Sequence, residues 1–190
     1  MELASPLPRR IRTSNVRLGL IVTAMIVLVA GWGATKTSAF QWFFLQLSLR
    51  SRFPNMQWIT TRELGDWLQD RQRRPPVLLD VRTEAEWNVS HLPGARRVQP
   101  GARVDSAAAN ISRDAPIVTY CAVGYRSGDL AVHLHDAGFT SVRNLDGGII
   151  EWANEHRPLV HDGQPASQVH PYNEFWGRLL SKEVRGGQDM

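Results

Sequence analysis

The chain has 190 residues, 43% of them apolar and 21% charged, which excludes a wholly disordered protein and leaves room for one ordinary domain with extensions. Its 15 Gly and 11 Pro are too few for a collagen-like or low-complexity chain, and its one cysteine excludes an internal disulfide or an all-cysteine metal site. The sequence pI near 9.8 is no nucleic-acid footprint. Of 22 Lys/Arg and 18 acids, residues 1–53 hold seven and one, which leaves 15 and 17 for residues 54–190, so the basic excess belongs to the N-terminus.

Residues 1–17 are a basic tail carrying Arg9, Arg10, Arg12 and Arg17. Residues 18–35, from Leu18 to Thr35, are 18 residues without a charge, about 27 Å of helix and enough for a bilayer core. Lys36 alone follows closely, so the positive-inside rule keeps the N-terminus cytoplasmic and sends the rest to a periplasmic or lumenal side. The competing reading is a cleaved signal peptide. The run exceeds the usual h-region of about 7–15 residues, and Gly31-Trp32-Gly33-Ala34 is a poor cleavage site, which favours an anchor. Residues 36–55 contain a second apolar run, FQWFFLQLSL at 40–49, too short to span. Trp42, Phe43 and Phe44 suit the headgroup zone, with Arg50 and Arg52 closing the segment. An interfacial collar and a helix packed on the following domain fit this segment equally well.

From residue 56 strand and helix signals alternate. Thr60 to Glu63 is a capping box, and Leu64, Trp67 and Leu68 follow at helical spacing until Pro75 and Pro76 stop the helix. Val77 to Val81 reads as a strand buried on both faces. Thr83 to Glu86 is a second capping box, and His91-Leu92-Pro93-Gly94-Ala95 is a turn. Ile117 to Tyr120 reads as a strand and Ser127 to Ala137 as a helix with Leu130, Ala131 and Leu134 inward, stopped by Gly138. Ser141 to Leu145 is a last strand and Gly148 to Glu155 a last helix. The expected fold class is α/β, a mostly parallel central sheet with helices on both faces over residues 56–157, preceded by one transmembrane helix. Residues 158–190 read as a linker followed by a short amphipathic segment at Asn173 to Val184 carrying Phe175, Trp176, Leu179 and Leu180.

The chemistry centres on Cys121. It ends a buried strand and is followed by Ala122-Val123-Gly124-Tyr125-Arg126-Ser127. Ligands in open parallel sheets bind beyond the carboxyl ends of the strands. A loop that turns there into a helix presents successive N–H groups to one point, a nest for an anion. Those groups, the helix dipole and Arg126 favour the thiolate, the nucleophilic form, and Gly124 gives the loop its freedom. A lone cysteine is more often a small buried hydrophobe, and only this surrounding text raises it above that reading. His133 and His135 point apart on a helix and hold no metal on this reading; no cofactor and no nucleic acid are called for.

Cys121-x-x-Gly124-x-Arg126-Ser127 resembles the active-site loop of the rhodanese-type sulfurtransferases. Leu79-Asp80-Val81-Arg82-Thr83-x-x-Glu86-Trp87, His91 to Ala95, and Gly138-Phe139 through Asp146-Gly147-Gly148 to Trp152 resemble the rest of the family pattern, over about residues 56–157. The resemblance implies that Cys121 takes a sulfane sulfur from a small anionic donor, thiosulfate or a persulfide, and passes it to a thiol or cyanide. It implies that the N–H groups of Ala122 to Ser127 cradle the persulfide, that Arg126 adds positive charge, that Ser127 starts the helix, and that Asp80 and Arg82 brace the loop. Related phosphatases and arsenate reductases use a loop one residue longer, with arginine where Ser127 stands. A docking or sulfur-carrier module with little turnover is the alternative, and the tether suits a membrane-protein partner. A lone thiol on the oxidising side of a membrane is exposed to oxidation, a tension in this reading.

Overall fold

The computed structural model of the chain describes residues 37–186, with side chains from residue 41. Two compact units divide after Gln41, and the described part of the first is the opening of α1 (Thr37–Arg52). The expected span at 18–35 and the basic tail at 1–17 lie outside the described residues. Among the described residues no helix is long and apolar enough to cross a membrane.

In the second unit β1 (Trp58–Ile59), β2 (Val77–Asp80), β3 (Arg96–Arg97), β4 (Ile117–Tyr120) and β5 (Val142–Leu145) form one sheet. Their order is β1-β5-β4-β2-β3 and every pairing is parallel. β2 and β4 are therefore central, which is why their sequences are apolar without alternation. Successive side chains still point to opposite faces. Leu78, Val118 and Tyr120 join one core cluster, while Leu79, Ile117 and Cys121 join the other.

The first face is covered by α2 (Thr61–Gln69) through Leu64 and Trp67, and by α6 (Gly148–Asn154) through Ile149, Ile150 and Trp152. The second is covered by α5 (Tyr125–Asp136) through Leu130, Ala131 and Leu134, with Ala107 of α4 (Val104–Ala107) beside them. Both expected capping boxes form: Thr60 with Glu63 opens α2, and Thr83 with Glu86 opens α3 (Glu84–Val89). β3 and α4 were not foreseen, since two and four residues are too short to leave a periodic signal.

Two expectations need correction. First, α5 begins at Tyr125, so Ser127 lies within its first turn and does not start it; Gly124 is the N-cap, in the left-handed region at φ 105°. Second, residues 158–186 are not a linker. β6 (Leu159–His161) and β7 (Gln164–Ala166) form an antiparallel hairpin, and Leu159, Val169, Leu179, Leu180 and Val184 are buried in the first cluster. Helix in the expected amphipathic segment is confined to α7 (Glu174–Gly177), and Phe175 stays exposed. Of the two readings of its segment, α1 takes the packed helix: Trp42 and Leu45 pack against the first cluster, and Leu49, like Phe53 just beyond the helix, is buried. Phe43, Phe44 and Leu47 remain exposed on it.

Candidate active site

β4 runs into Cys121, which is 1% exposed and lies on the α5 face of the sheet. The four residues Cys121 to Gly124 then turn the chain into α5. Their carbonyls are tied down on one side. Cys121 O accepts from Ile149 N at 2.9 Å, Ala122 O from Ile150 N at 3.2 Å, and Gly124 O from Asn144 Nδ2 at 2.7 Å. Across a planar trans peptide the N–H points opposite to the C=O. The N–H groups of Ala122, Val123 and Tyr125 therefore face away from α6 and Asn144. Gly124 N donates to Cys121 Sγ at 3.2 Å. Together with the N-terminus of α5 this is the anion-favouring arrangement the sequence suggests.

Two glycines make this approach feasible. A side chain at Gly148, at φ 57°, would place its Cβ 2.5 Å from both Cys121 O and Ala122 O. A side chain at Gly124 would meet the Trp58 ring at 3.3 Å in a backbone region that L-residues avoid. Beneath the loop, Thr119 Oγ1 donates to Ser127 O at 3.1 Å and lies 3.2 Å from Asn144 Oδ1. Thr119 and Asn144 were not foreseen, because their role depends on neighbouring strands meeting in space. Ser127 itself is buried, and Tyr125 is half exposed with its ring edge-on to Phe53, 6.1 Å between centroids.

Arg126 places its positive charge beside Cys121, as expected, and is held there by a carboxylate. Its Nη1 and Nη2 donate to Glu86 Oε2 and Oε1, both at 2.8 Å, and its guanidinium lies 4.7 Å from the Tyr172 ring centre. Burial would lower the Arg126 pKa, but the bonds to Glu86 and the charge of the Cys121 thiolate outweigh it, so the group is held above its ordinary value. Burial likewise opposes ionisation of Glu86, and the Arg126 bonds with the Thr83 cap outweigh it, leaving the carboxyl below its ordinary range. Glu86 was foreseen only as a helix cap. It caps α3 through Thr83 N at 3.0 Å and anchors the loop's arginine at once.

Asp80 and Arg82 do not brace the loop. Both are fully buried and paired to each other, Arg82 Nη2 reaching Asp80 Oδ2 at 2.7 Å and Ser90 O at 2.6 Å. Neither is hydrogen-bonded to residues 121–127; they hold the turn after α3, where Leu92 N also donates to Tyr120 Oη at 3.1 Å. His91 lies in that turn, stacked on Trp87 at 3.5 Å.

The family model for a rhodanese-like domain matches residues 64–155. The Mycobacterium tuberculosis protein named probable adenylyltransferase/sulfurtransferase MoeZ is 36% identical over 102 residues, 53% of this chain and 25% of its own. This chain therefore spans about a quarter of that relative's length. A protein of Allochromatium vinosum named sulfurtransferase is 36% identical over 84 residues, 44% of this chain and 78% of its own. The solution structure of a rhodanese-like domain from Anabaena sp. has a TM-score of 0.51 at 22% identity, covering 70% of this chain and 97% of that one, a likeness of fold.

Proposed function

Because this chain belongs to the rhodanese-like family, we propose that it is a sulfurtransferase that carries a sulfane sulfur on Cys121. The observation that carries the reading is the placement of Cys121 Sγ at the end of β4, against the Gly124 N–H and the opening of α5. In the first half-reaction the Cys121 thiolate attacks the terminal sulfur of the donor. A bond from Cys121 Sγ to that sulfur forms, the donor's own bond to it breaks, and the leaving group departs with the electron pair, as sulfite from thiosulfate or as a thiolate from a persulfide. The new terminal sulfur carries negative charge, which the N–H groups of the loop stabilise. In the second half-reaction a thiol or cyanide attacks that sulfur and Cys121 leaves as thiolate. Burial of Cys121 limits its oxidation between these steps.

We propose further that residues 18–35 anchor the chain in a membrane, N-terminus cytoplasmic, with the catalytic domain on the periplasmic or lumenal side. The charge asymmetry of the N-terminus supports this. Protease given access to the periplasmic or lumenal face of the sealed membrane would digest the domain; full protection there would overturn the orientation. The exposed Phe43, Phe44 and Leu47 support a docking role.

The decisive experiment uses the full chain with thiosulfate or an organic persulfide. Intact mass should rise by about 32 Da, the added sulfur of a persulfide, on the wild type and not on Cys121→Ser. Cyanide should remove it and form thiocyanate. No adduct from either donor would overturn the enzymatic reading in favour of a docking module.

A further inference from the structure

The segment after α6 lies beyond residues 64–155, the part matched by the family model, yet it delivers a side chain to the loop. Its path is fixed on both sides of a bend. Before the bend, Ser90 Oγ donates to Gln168 O at 2.6 Å. Val169 is fully buried; its N donates to Val184 O at 2.8 Å and its O accepts from Gly186 N at 2.9 Å. After the bend, Asn173 caps α7, and Leu179 and Leu180 enter the first core cluster. Between these anchors Tyr172 takes a left-handed backbone, φ 65°, with its N–H donated to His170 Nδ1 at 2.9 Å. A side chain is held in that region only where its surroundings over-determine it. Tyr172 is 44% exposed, so the bend does not serve to bury its ring.

The ring serves Arg126 instead. Glu86 holds both terminal nitrogens of the guanidinium at 2.8 Å, and the guanidinium lies over the Tyr172 ring, 4.7 Å from its centre. α3 sets both partners, since Glu86 holds the arginine and Ser90, its C-cap, holds the segment that carries Tyr172. Against burial, Glu86 and then the Cys121 thiolate keep the guanidinium above its ordinary pKa, so Arg126 and the sulfur act on each other at close range. Resting on the sulfurtransferase reading above, we propose that Tyr172 is a positioning residue for sulfur transfer, its ring fixing the Arg126 guanidinium beside Cys121 and shielding it from water. A guanidinium on an aromatic face gains cation–π attraction. With water displaced by the ring, its charge acts through a lower dielectric. The charge it supports is the thiolate before transfer and the terminal sulfur of the persulfide after it. The role belongs to the ring and not to the hydroxyl.

The test follows the gain of one sulfur on Cys121 by mass, in single-turnover reactions of the full chain with thiosulfate and with cysteine persulfide. Thermal unfolding checks that each variant is folded. Tyr172→Leu should slow sulfur addition about threefold or more, and Tyr172→Phe, which keeps the ring, should stay within about twofold of the wild type. In an Arg126→Gln background Tyr172→Leu should cost less than about twofold further, because the partner it acts through is gone. The comparison of Phe with Leu stands by itself where Arg126→Gln does not fold. Tyr172→Leu at the wild-type rate, Tyr172→Phe as slow as Tyr172→Leu, or an equal loss from Tyr172→Leu in both backgrounds overturns the proposal and leaves the sulfurtransferase reading standing. Failure of the wild type to add sulfur from either donor overturns both.

Discussion

At the scale of single residues, the capping carboxylate of α3 carries more than a helix end. Glu86 is buried, accepts from Thr83 and holds both nitrogens of Arg126. Glu86→Ala deletes the cap and leaves the arginine without its partner, which costs about 3–5 kcal/mol. Glu86→Gln keeps a single acceptor oxygen, which in the Oε2 position serves both the Thr83 cap and Arg126 Nη1, and costs about 1–2 kcal/mol. Urea unfolding of the two variants measures both, and a Glu86→Gln variant as stable as the wild type would show that the charge pair contributes nothing beyond the cap. Gly148→Ala forces a methyl against the Cys121 and Ala122 carbonyls, so sulfur addition to Cys121 should fall by about tenfold or more even where the chain stays folded. Single-turnover mass measurement checks it, and wild-type rates would mean the loop tolerates displacement. Cys121, Gly124 and Arg126 were legible because they follow one another along the chain. The second role of Glu86 was not, since the pair joins residues 40 apart, and the same holds for Thr119 over Asn144.

At the scale of elements, those whose ends are set by local chemistry were readable. Two threonines followed by glutamate three residues later opened α2 and α3 where expected. α5 was misplaced by two residues because a left-handed glycine can cap a helix without a side-chain signal. The β6–β7 hairpin was overlooked, although Asp162-Gly163 at φ 48° and 75° is a strong turn pair of this kind. α1 follows the packed-helix reading of its segment. Leu49 is buried and Phe53 closes on α5, where a methyl at Gly128 would lie 2.7 Å from the Phe53 ring. Phe53→Ala should therefore destabilise the domain by about 3–4 kcal/mol and slow sulfur addition, because the vacated space lies under the first turn of α5. A chain lacking residues 1–53 should melt lower than one lacking 1–36. Identical melting temperatures would show that the end of α1 does not contribute to the domain.

At the scale of the whole molecule, the parallel sheet followed from alternating strand and helix signals, but the strand order did not, because parallel neighbours are chosen by long-range packing. The burial of Val169 and Val184 behind the sheet was equally hidden in a stretch of turn-forming residues. One consequence of this packing is an acidic seam around α6. Burial, then the charges of Asp146 and Glu155, push the Glu151 carboxyl up to about 7 from 4.5. Asp146 is in turn paired with Arg50 of α1 at 2.7 Å, so the seam links that helix to the sheet. With a folded-state pKa above its unfolded value, Glu151 favours the folded state when protonated. Its contribution is fully present below about 4.5 and is lost as pH rises through about 7. Glu151→Gln fixes the neutral form. At pH 5 the variant and the wild type should unfold alike, and at pH 8 the variant should be more stable by about 1 kcal/mol, the full shift being reduced by solvent screening at a partly exposed position. Thermal unfolding at the two pH values measures the difference. If the wild type is no weaker than the variant at pH 8, the neighbouring carboxylates are compensated by Arg50 and Arg157, and the seam imposes no pH limit on the fold.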